Sequence, residues 1–89
     1  MINVVFEGPG VTADQYDQIC RDAGISQENV PDGLIFHSAF VTDSGFMVVD
    51  VWESEEKFQA FGAQLAPAIE RAGVSAEPRV YETHAVIAG

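Results

Sequence analysis

The strongest constraint on the fold comes from residues 33–69, which have the pattern of two strands, a tight turn between them and a following helix. Two runs rich in β-branched and aromatic residues meet at residues 43–45 (Asp-Ser-Gly), as the strands of a β-hairpin do. The second run leads into residues 54–56 (Ser-Glu-Glu), where a capping hydroxyl and acidic side chains favour a helix start. The sequence therefore predicts a β-hairpin followed directly by a helix.

Three further elements surround this hairpin and helix. Residues 2–7 have the alternation of a strand, and the Pro-initiated run of residues 77–88 predicts a last strand. Between the first strand and the hairpin, Thr12 and Gln15 have capping-box spacing, and Gly24 is a suitable helix stop. These residues predict a first helix between the first two strands.

The predicted order is β-α-β-β-α-β, the ferredoxin-like arrangement of the α+β class. Right-handed crossovers then place both helices on one face of a four-stranded antiparallel sheet. The second helix, from Ser54 to Gly73, contains Pro67, which should kink it or split it near Gln64. The chain has 89 residues, so we expect one domain over residues 1–89.

The sheet face opposite the helices has no element left to cover it, although several of its positions are apolar. Exposure of such a face is costly and promotes association. A chain this short hides only about 60% of its unfolded surface on folding, and its single cysteine excludes an internal disulfide. We therefore predict a homodimer that packs through this face.

Charge limits the possible partners. Fourteen acidic and four basic residues give a formal net charge of −10, which repels phosphate backbones and anionic lipid. Neither a signal peptide nor an apolar run of the roughly 20 residues that span a bilayer is visible. We expect a cytoplasmic protein that binds neither nucleic acid nor membranes.

The hairpin register decides which of its side chains meet, and the sequence leaves two registers open. If Ser44-Gly45 is a two-residue loop, His37 pairs with Trp52. If residues 43–45 form a type I turn with a glycine bulge, the pairing slips by one residue and His37 lies diagonally from, or across the sheet from, Asp50. In the first register one face carries His37, Val41, Phe46, Val48, Asp50 and Trp52, and the alternation of the last four survives in both.

The alternate positions of the second hairpin strand, Met47, Val49 and Val51, are all apolar, so we assign them to the helix-facing core. Asp50 and Trp52 then face the cavity between two copies of the chain. A His–Asp pair is a reasonable proton shuttle, so Asp50 and His37 are the candidate catalytic residues. The candidate pocket wall consists of Trp52, Phe46, Val48 and Val41. The alternative is that the pair only fixes the dimer register and that Trp52 only packs.

Motifs for metals and cofactors are missing. The sequence contains no Cys/His cluster with zinc spacing, no His-Glu-x-x-His and no calcium loop. Residues 8–10 (Gly-Pro-Gly) are too short for a phosphate-binding or dinucleotide loop. We expect no metal and no cofactor.

Two motifs carry a family resemblance. Residues 49–54 (Val-Asp-Val-Trp-Glu-Ser) and residues 65–67 (Leu-Ala-Pro) resemble the small dimeric α/β-barrel superfamily, and within it proteins related to antibiotic-biosynthesis monooxygenases. The resemblance implies two ferredoxin-like protomers whose sheets form a barrel around a pocket. That superfamily includes cofactor-independent oxygenases of phenolic or quinol substrates, haem-degrading monooxygenases, polyketide cyclases and members without known activity.

The residues of this chain also narrow the range of activities that the resemblance implies. Its haem degraders use an asparagine on strand one, a tryptophan on strand three and a histidine on helix two; Asn3 and Trp52 match, but residues 54–72 contain no histidine. Its cyclases use a histidine and a tyrosine that face the pocket; His37 could match the histidine, and no tyrosine is clearly placed to match the other. The expected function is a cofactor-independent monooxygenase or cyclase acting on a small aromatic or polyketide-like molecule. The alternative is a non-catalytic ligand-binding or assembly module of the same fold.

Overall fold

A computed structural model describes residues 1–89 and has the predicted order of elements. The elements are β1 (Ile2–Pro9), α1 (Ala13–Ala23), β2 (Leu34–Thr42), β3 (Gly45–Trp52), α2 (Glu55–Arg71) and β4 (Glu77–Glu82). The strands form one antiparallel sheet in the order β2-β3-β1-β4. The ferredoxin-like α+β fold is therefore confirmed.

The first helix begins and ends where its caps predict. The Thr12 hydroxyl accepts from the Gln15 backbone N–H, and the Gln15 side chain accepts from the Thr12 backbone N–H, which completes the capping box. Gly24 ends the helix in the left-handed conformation, with φ +71°, and its N–H is directed to carbonyls of the last turn. Local chemistry alone explains both boundaries.

The second helix is not split at Pro67. It runs unbroken through all 17 residues from Glu55 to Arg71, with Ser54 as its N-cap. Proline removes the donor that would pair with the carbonyl of Ala63, four residues earlier. Ala63 and Pro67 are both exposed, so water can satisfy that carbonyl, and the predicted break near Gln64 is wrong.

The last strand is shorter than predicted. It ends at Glu82, which pairs with Ile2 at the start of β1. After Glu82 a single backbone hydrogen bond, from the Thr83 N–H to the Met1 carbonyl, continues this pairing. The predicted strand over residues 77–88 is therefore wrong in its second half.

The hairpin has neither of the two predicted registers. Thr42 pairs with Gly45, so Asp43-Ser44 is the loop, and His37 lies directly opposite Asp50. Both the pairing of His37 with Trp52 and the diagonal arrangement are wrong. Gly45 belongs to the strand rather than to the turn.

A contact with the end of β1 explains this register. A side chain at Gly45 would place its Cβ 2.3 Å from the Gly8 carbonyl oxygen, and Gly45 has φ +155°. The Ser44 carbonyl accepts from the Gly10 N–H at 2.8 Å. Glycine is thus needed for close backbone approach, which residues distant in the sequence impose.

The two faces of the sheet are also reversed relative to the prediction. Trp52 packs on the α2 rings of Phe58 and Phe61, with centroids 5.7 and 5.2 Å apart, and Phe46 packs on Tyr16 of α1 at 5.0 Å. We call this helix-covered side the inner face, and the opposite, uncovered side the outer face. The inner face carries Asp50 and Trp52, and the outer face carries Met47, Val49 and Val51.

The core lies between the inner face and the second helix. Val4 and Trp52 are fully buried, and Phe58 closes the cluster from α2. Only eight residues of the chain are buried. Neither helix is long and apolar enough to cross a membrane.

Candidate active site

An apolar cavity of about 100 Å³ lies between the inner face of the sheet and the two helices. By the same measure a single water needs about 10–15 Å³, so this space exceeds an ordinary packing defect. Its apolar walls come from β1, β3, α1 and α2, and include Phe6, Phe46, Val48, Trp52, Ile19, Phe61, Leu65 and Ile69. A cavity with such walls suits an apolar or aromatic ligand rather than bulk water.

Four polar side chains line this cavity as a continuous chain of hydrogen bonds. The Tyr16 hydroxyl is 2.5 Å from Nε2 of His37, and His37 Nδ1 is 2.5 Å from Oδ1 of Asp50. The other carboxylate oxygen, Oδ2, accepts from Nε1 of Trp52 at 3.1 Å. We refer to Tyr16, His37, Asp50 and Trp52 as the polar chain.

Three elements bring the polar chain together. The observed register sets His37 of β2 directly opposite Asp50 of β3, and strand alternation places Trp52 on the same face two residues later. Tyr16 reaches them from α1, where its ring stacks on His37 and Phe46 with centroids 5.9 and 5.0 Å apart. The polar chain therefore links the sheet to the first helix along one wall of the cavity.

Burial differs along the polar chain. The side chain of Asp50 is 5% exposed and that of His37 is 31% exposed. A buried carboxylate is costly unless hydrogen bonds compensate it, and Asp50 receives one N–H donor on each oxygen. No buried side-chain nitrogen or oxygen lacks a hydrogen-bond partner, so the network is complete without a ligand.

The donors assign the proton of His37. A carboxylate only accepts hydrogen bonds, so Nδ1 carries the proton and donates it to Asp50. In the neutral imidazole Nε2 then has a free lone pair, which accepts from the Tyr16 hydroxyl. The nitrogen that contacts Tyr16 is therefore the basic one.

Tyr16 keeps its proton at neutral pH. Burial raises the pKa of its phenol far above the ordinary value, and the neighbouring Cys20 thiol and Asp50 carboxylate raise the pKa further. The hydroxyl is consequently a donor to His37. No sequence pattern connects Tyr16 with a histidine 21 residues later.

The single cysteine also lines the cavity. Burial raises the pKa of the Cys20 thiol, which keeps it protonated, and a thiol is a far weaker nucleophile than a thiolate. Cys20 therefore fills space beside Tyr16 as a small hydrophobe.

The structure brings five of the six predicted site residues to the cavity: Asp50, His37, Trp52, Phe46 and Val48. Val41 shares their face of the sheet, but its side chain lies outside the cavity and the residue is 67% exposed. The cavity belongs to a single chain, so the expected location between two copies is wrong. No group of three or more His, Cys, Asp or Glu side chains is placed to hold a metal ion.

Comparison with known proteins gives structural matches only. No protein-family model matches the chain, and no curated protein has a matching sequence. A mutant form of SnoaB, a cofactor-independent oxygenase from Streptomyces nogalater, superposes with a TM-score of 0.70 at 16% identity, over 97% of this chain and 95% of that one.

Two further solved structures carry bound molecules. A monooxygenase from the gene ActVA-Orf6 of Streptomyces coelicolor, in complex with nanaomycin D, gives a TM-score of 0.63 at 17% identity, over 99% of this chain and 90% of that one. A mutant of MhuD with two manganese protoporphyrin IX molecules per active site gives 0.59 at 22% identity, over the whole of both chains.

These matches define the class of fold. The chain has the ferredoxin-like fold of antibiotic biosynthesis monooxygenase-like proteins, as its motifs suggested. The cavity does not fit a haem, because α2 contains no histidine. The one histidine that lines the cavity has hydrogen-bond partners at both ring nitrogens.

Proposed function

We propose that this protein binds a small aromatic molecule in the cavity and oxidises it with molecular oxygen, using His37 as the base and no cofactor. The observation that carries the proposal is the orientation of His37. A buried carboxylate holds its Nδ1 proton, so that the basic nitrogen is Nε2, which contacts the Tyr16 hydroxyl beside an apolar cavity that both residues line.

The first step is removal of a proton from the ligand. His37 Nε2 takes the proton of an acidic phenol or enol, and Asp50, 2.5 Å from Nδ1, stabilises the imidazolium that forms. General-base catalysis of this kind contributes roughly 10²- to 10⁴-fold to a rate. The apolar walls strengthen the effect because they exclude the water that would screen these charges.

The second step uses the electron-rich anion that remains. Oxygen adds at the activated carbon, and the resulting peroxide loses water to leave a carbonyl, so that R₂CH₂ and O₂ give R₂C=O and H₂O. One oxygen atom enters the product and the other leaves in water. The substrate supplies all the electrons, so the step needs no external reductant.

The comparisons support this reaction class without fixing it for this chain. SnoaB is described as a cofactor-independent oxygenase and the ActVA-Orf6 protein as a monooxygenase with a bound ligand. Identities of 16% and 17% establish a shared fold, and function depends on the site residues. The polar chain is the feature of this protein that supplies a base.

Turnover of anthrone, whose methylene is acidified by the ketone, tests the proposal. We expect anthraquinone to form, with one atom of ¹⁸O₂ in its new carbonyl, and His37→Gln to abolish the enzymatic rate. His84→Gln is the matched control, because His84 is exposed and does not line the cavity. Tight binding of anthrone without turnover would instead support the non-catalytic ligand-binding module.

Asp50→Asn tests the contribution of Asp50 to the rate while it keeps hydrogen bonds to both neighbours. The new amide oxygen can still accept from Trp52 Nε1, while its NH₂ group donates to His37 Nδ1. This exchange forces the proton of His37 onto Nε2 and removes the free lone pair. We expect a loss of at least about 10²-fold in rate, and an unchanged rate would exclude Asp50 from the mechanism.

We also propose a homodimer that forms through the outer face. Phe36 and Phe40 are 53% and 42% exposed on β2, and both flank the apolar outer side of β3. Exposed aromatic residues on an uncovered sheet favour association with a second copy.

Cys20 is a free thiol, which suits the reducing cytoplasm proposed for this protein.

A further inference from the structure

The Tyr16 hydroxyl occupies the one position that the proposed base offers to a ligand. We propose that this hydroxyl occupies the position of the ligand's own hydroxyl, so that the cavity selects neutral planar aromatics carrying an acidic O–H. The Tyr16 hydroxyl must then move away from His37 when such a ligand binds. The inference rests on the proposed function, because it assumes that the cavity is the ligand site.

The acceptor cannot serve two donors at once. An imidazole nitrogen has a single lone pair in the plane of the ring, and the Tyr16 hydroxyl already lies 2.5 Å from it. A second hydroxyl at hydrogen-bond distance would collide with the first. Binding of a hydroxylated ligand to Nε2 therefore requires departure of the Tyr16 hydroxyl.

Tyr16 itself indicates which ligand chemistry this position accepts. It is a phenol that donates to His37 while its flat ring stacks on Phe46 at 5.0 Å, with an angle of 29° between the planes. A ligand with a hydroxyl on a flat aromatic ring can reproduce both interactions. An aliphatic alcohol would lose the stacking, and an aryl ether would lose the hydrogen bond.

The charges around the cavity exclude anionic ligands. No lysine or arginine is among the residues that line it, and Asp50 is the one acidic residue there. A carboxylate or phosphate would thus enter an apolar space next to a buried carboxylate without a cation to pair with, which is strongly unfavourable. A neutral phenol has the required donor and carries no such cost.

This competition predicts an unusual response to removal of the Tyr16 hydroxyl. In the wild type a phenolic ligand exchanges one O–H donor for another and gains little over its methyl ether. In Tyr16→Phe the His37 acceptor has no partner, so the phenol gains a net hydrogen bond that the ether does not. Selectivity for the phenol should therefore increase when the hydroxyl is removed.

Isothermal titration calorimetry with 2-naphthol, 2-methoxynaphthalene and 2-naphthoate tests this inference. We expect the ratio of the ether's Kd to the phenol's Kd to rise about 3- to 10-fold in Tyr16→Phe relative to the wild type. Tyr81→Phe should leave the ratio unchanged, because Tyr81 is exposed on the outer face. The naphthoate should bind neither protein.

The outcomes separate this inference from the proposed function. If phenol and ether both bind but their ratio is the same in Tyr16→Phe, the inference is overturned while the cavity remains a ligand site. If the variant binds the phenol more weakly, Tyr16 holds the ligand rather than yielding to it, which also overturns the inference. If neither compound binds the wild type, the inference and the proposed function both fail.

A measurement on the wild-type sequence does not depend on the folding of a variant. Fluorine NMR of protein containing 3-fluorotyrosine gives one resonance for each of its two tyrosines. We expect 2-naphthol to shift the Tyr16 resonance much more than 2-methoxynaphthalene does, and the Tyr81 resonance to stay in place. Equal shifts with the two ligands would show that the Tyr16 hydroxyl is not displaced.

Discussion

The two faces of strand β3 differ from those of a typical half-covered sheet. The inner face, beneath the helices, carries Phe46, Val48, Asp50 and Trp52. The outer face, which no element of the chain covers, carries Met47, Val49 and Val51. A sheet with one wet side usually has polar residues on that side, whereas here the ionisable group is buried and the uncovered side is apolar.

The contrast shows that polarity alone does not identify the covered face of a strand. Asp50 is acceptable in the interior because His37 and Trp52 each donate to it, so its burial cost is offset by specific partners. On the outer face Val51 is 5% exposed within one chain, whereas Phe36 and Phe40 of β2 are 53% and 42% exposed. The proposed homodimer would cover these exposed rings.

The largest loss of stability should come from Trp52→Ala on the inner face. The indole is fully buried against two rings of α2, and its removal should cost about 3–5 kcal/mol of the free energy of unfolding. Urea unfolding followed by circular dichroism measures this loss. Phe36→Ala on the outer face should cost less than about 1 kcal/mol at protein concentrations low enough for the protein to be monomeric. Equal losses for the two variants would contradict the difference between the two faces.

The next largest effect concerns the outer face. Replacing Phe36 and Phe40 with aspartate should raise the Kd of the proposed dimer by at least about 100-fold, because it puts charge into the centre of an apolar contact. Sedimentation velocity measures the change. Val41→Asp is the matched control, since Val41 is as exposed but belongs to the opposite face of the same strand. A wild type that is monomeric at high micromolar concentration would contradict the proposal.

A smaller effect distinguishes Asp50→Leu from Asp50→Asn. Leucine leaves the N–H groups of His37 and Trp52 without acceptors, which should cost about 2–4 kcal/mol, whereas asparagine keeps an acceptor for Trp52 and should cost about 1–2 kcal/mol. Adding His37→Phe to Asp50→Leu should recover part of the loss. If Asp50→Leu and Asp50→Asn have the same free energy of unfolding, the polar chain does not explain why a buried carboxylate is tolerated here.

The smallest effect is the pH dependence that Tyr16 confers. Its pKa is raised above the ordinary value near 10 by burial, so from about pH 10 upward the unfolded chain releases a proton that the folded chain retains. The contribution of Tyr16 to the free energy of unfolding should therefore be complete below pH 10 and fall as the pH rises above it. Tyr16→Phe should reduce this slope and Tyr81→Phe should not. Cys20, whose pKa burial also raises, contributes a separate fall that both variants retain.

Local chemistry explains the parts of the fold that the sequence predicts correctly. Thr12 and Gln15 start α1 and Gly24 ends it, because caps depend on neighbours within a few residues. Ser54 starts α2 for the same reason. Apolar alternation likewise identifies the strands, and their order leads to the ferredoxin-like arrangement.

Contacts between distant segments account for the errors. The hairpin register depends on the approach of Gly45 to Gly8, and β4 extends only as far as its pairing with β1, which ends at Ile2 and Glu82. Which face of β3 is covered depends on where the α2 rings pack, and alternation with a period of two is compatible with either side.

The candidate site divides in the same way. Alternation along one strand placed Asp50 and Trp52 on a common face, and the hairpin brought His37 near them. The direct pairing of His37 with Asp50, the enclosure of both within one chain and the contact with Tyr16 follow from tertiary packing alone. Periodicity in a sequence specifies which side chains share a face, because that is a local property of the backbone. What each face meets depends on segments far away in the chain, which no local pattern encodes.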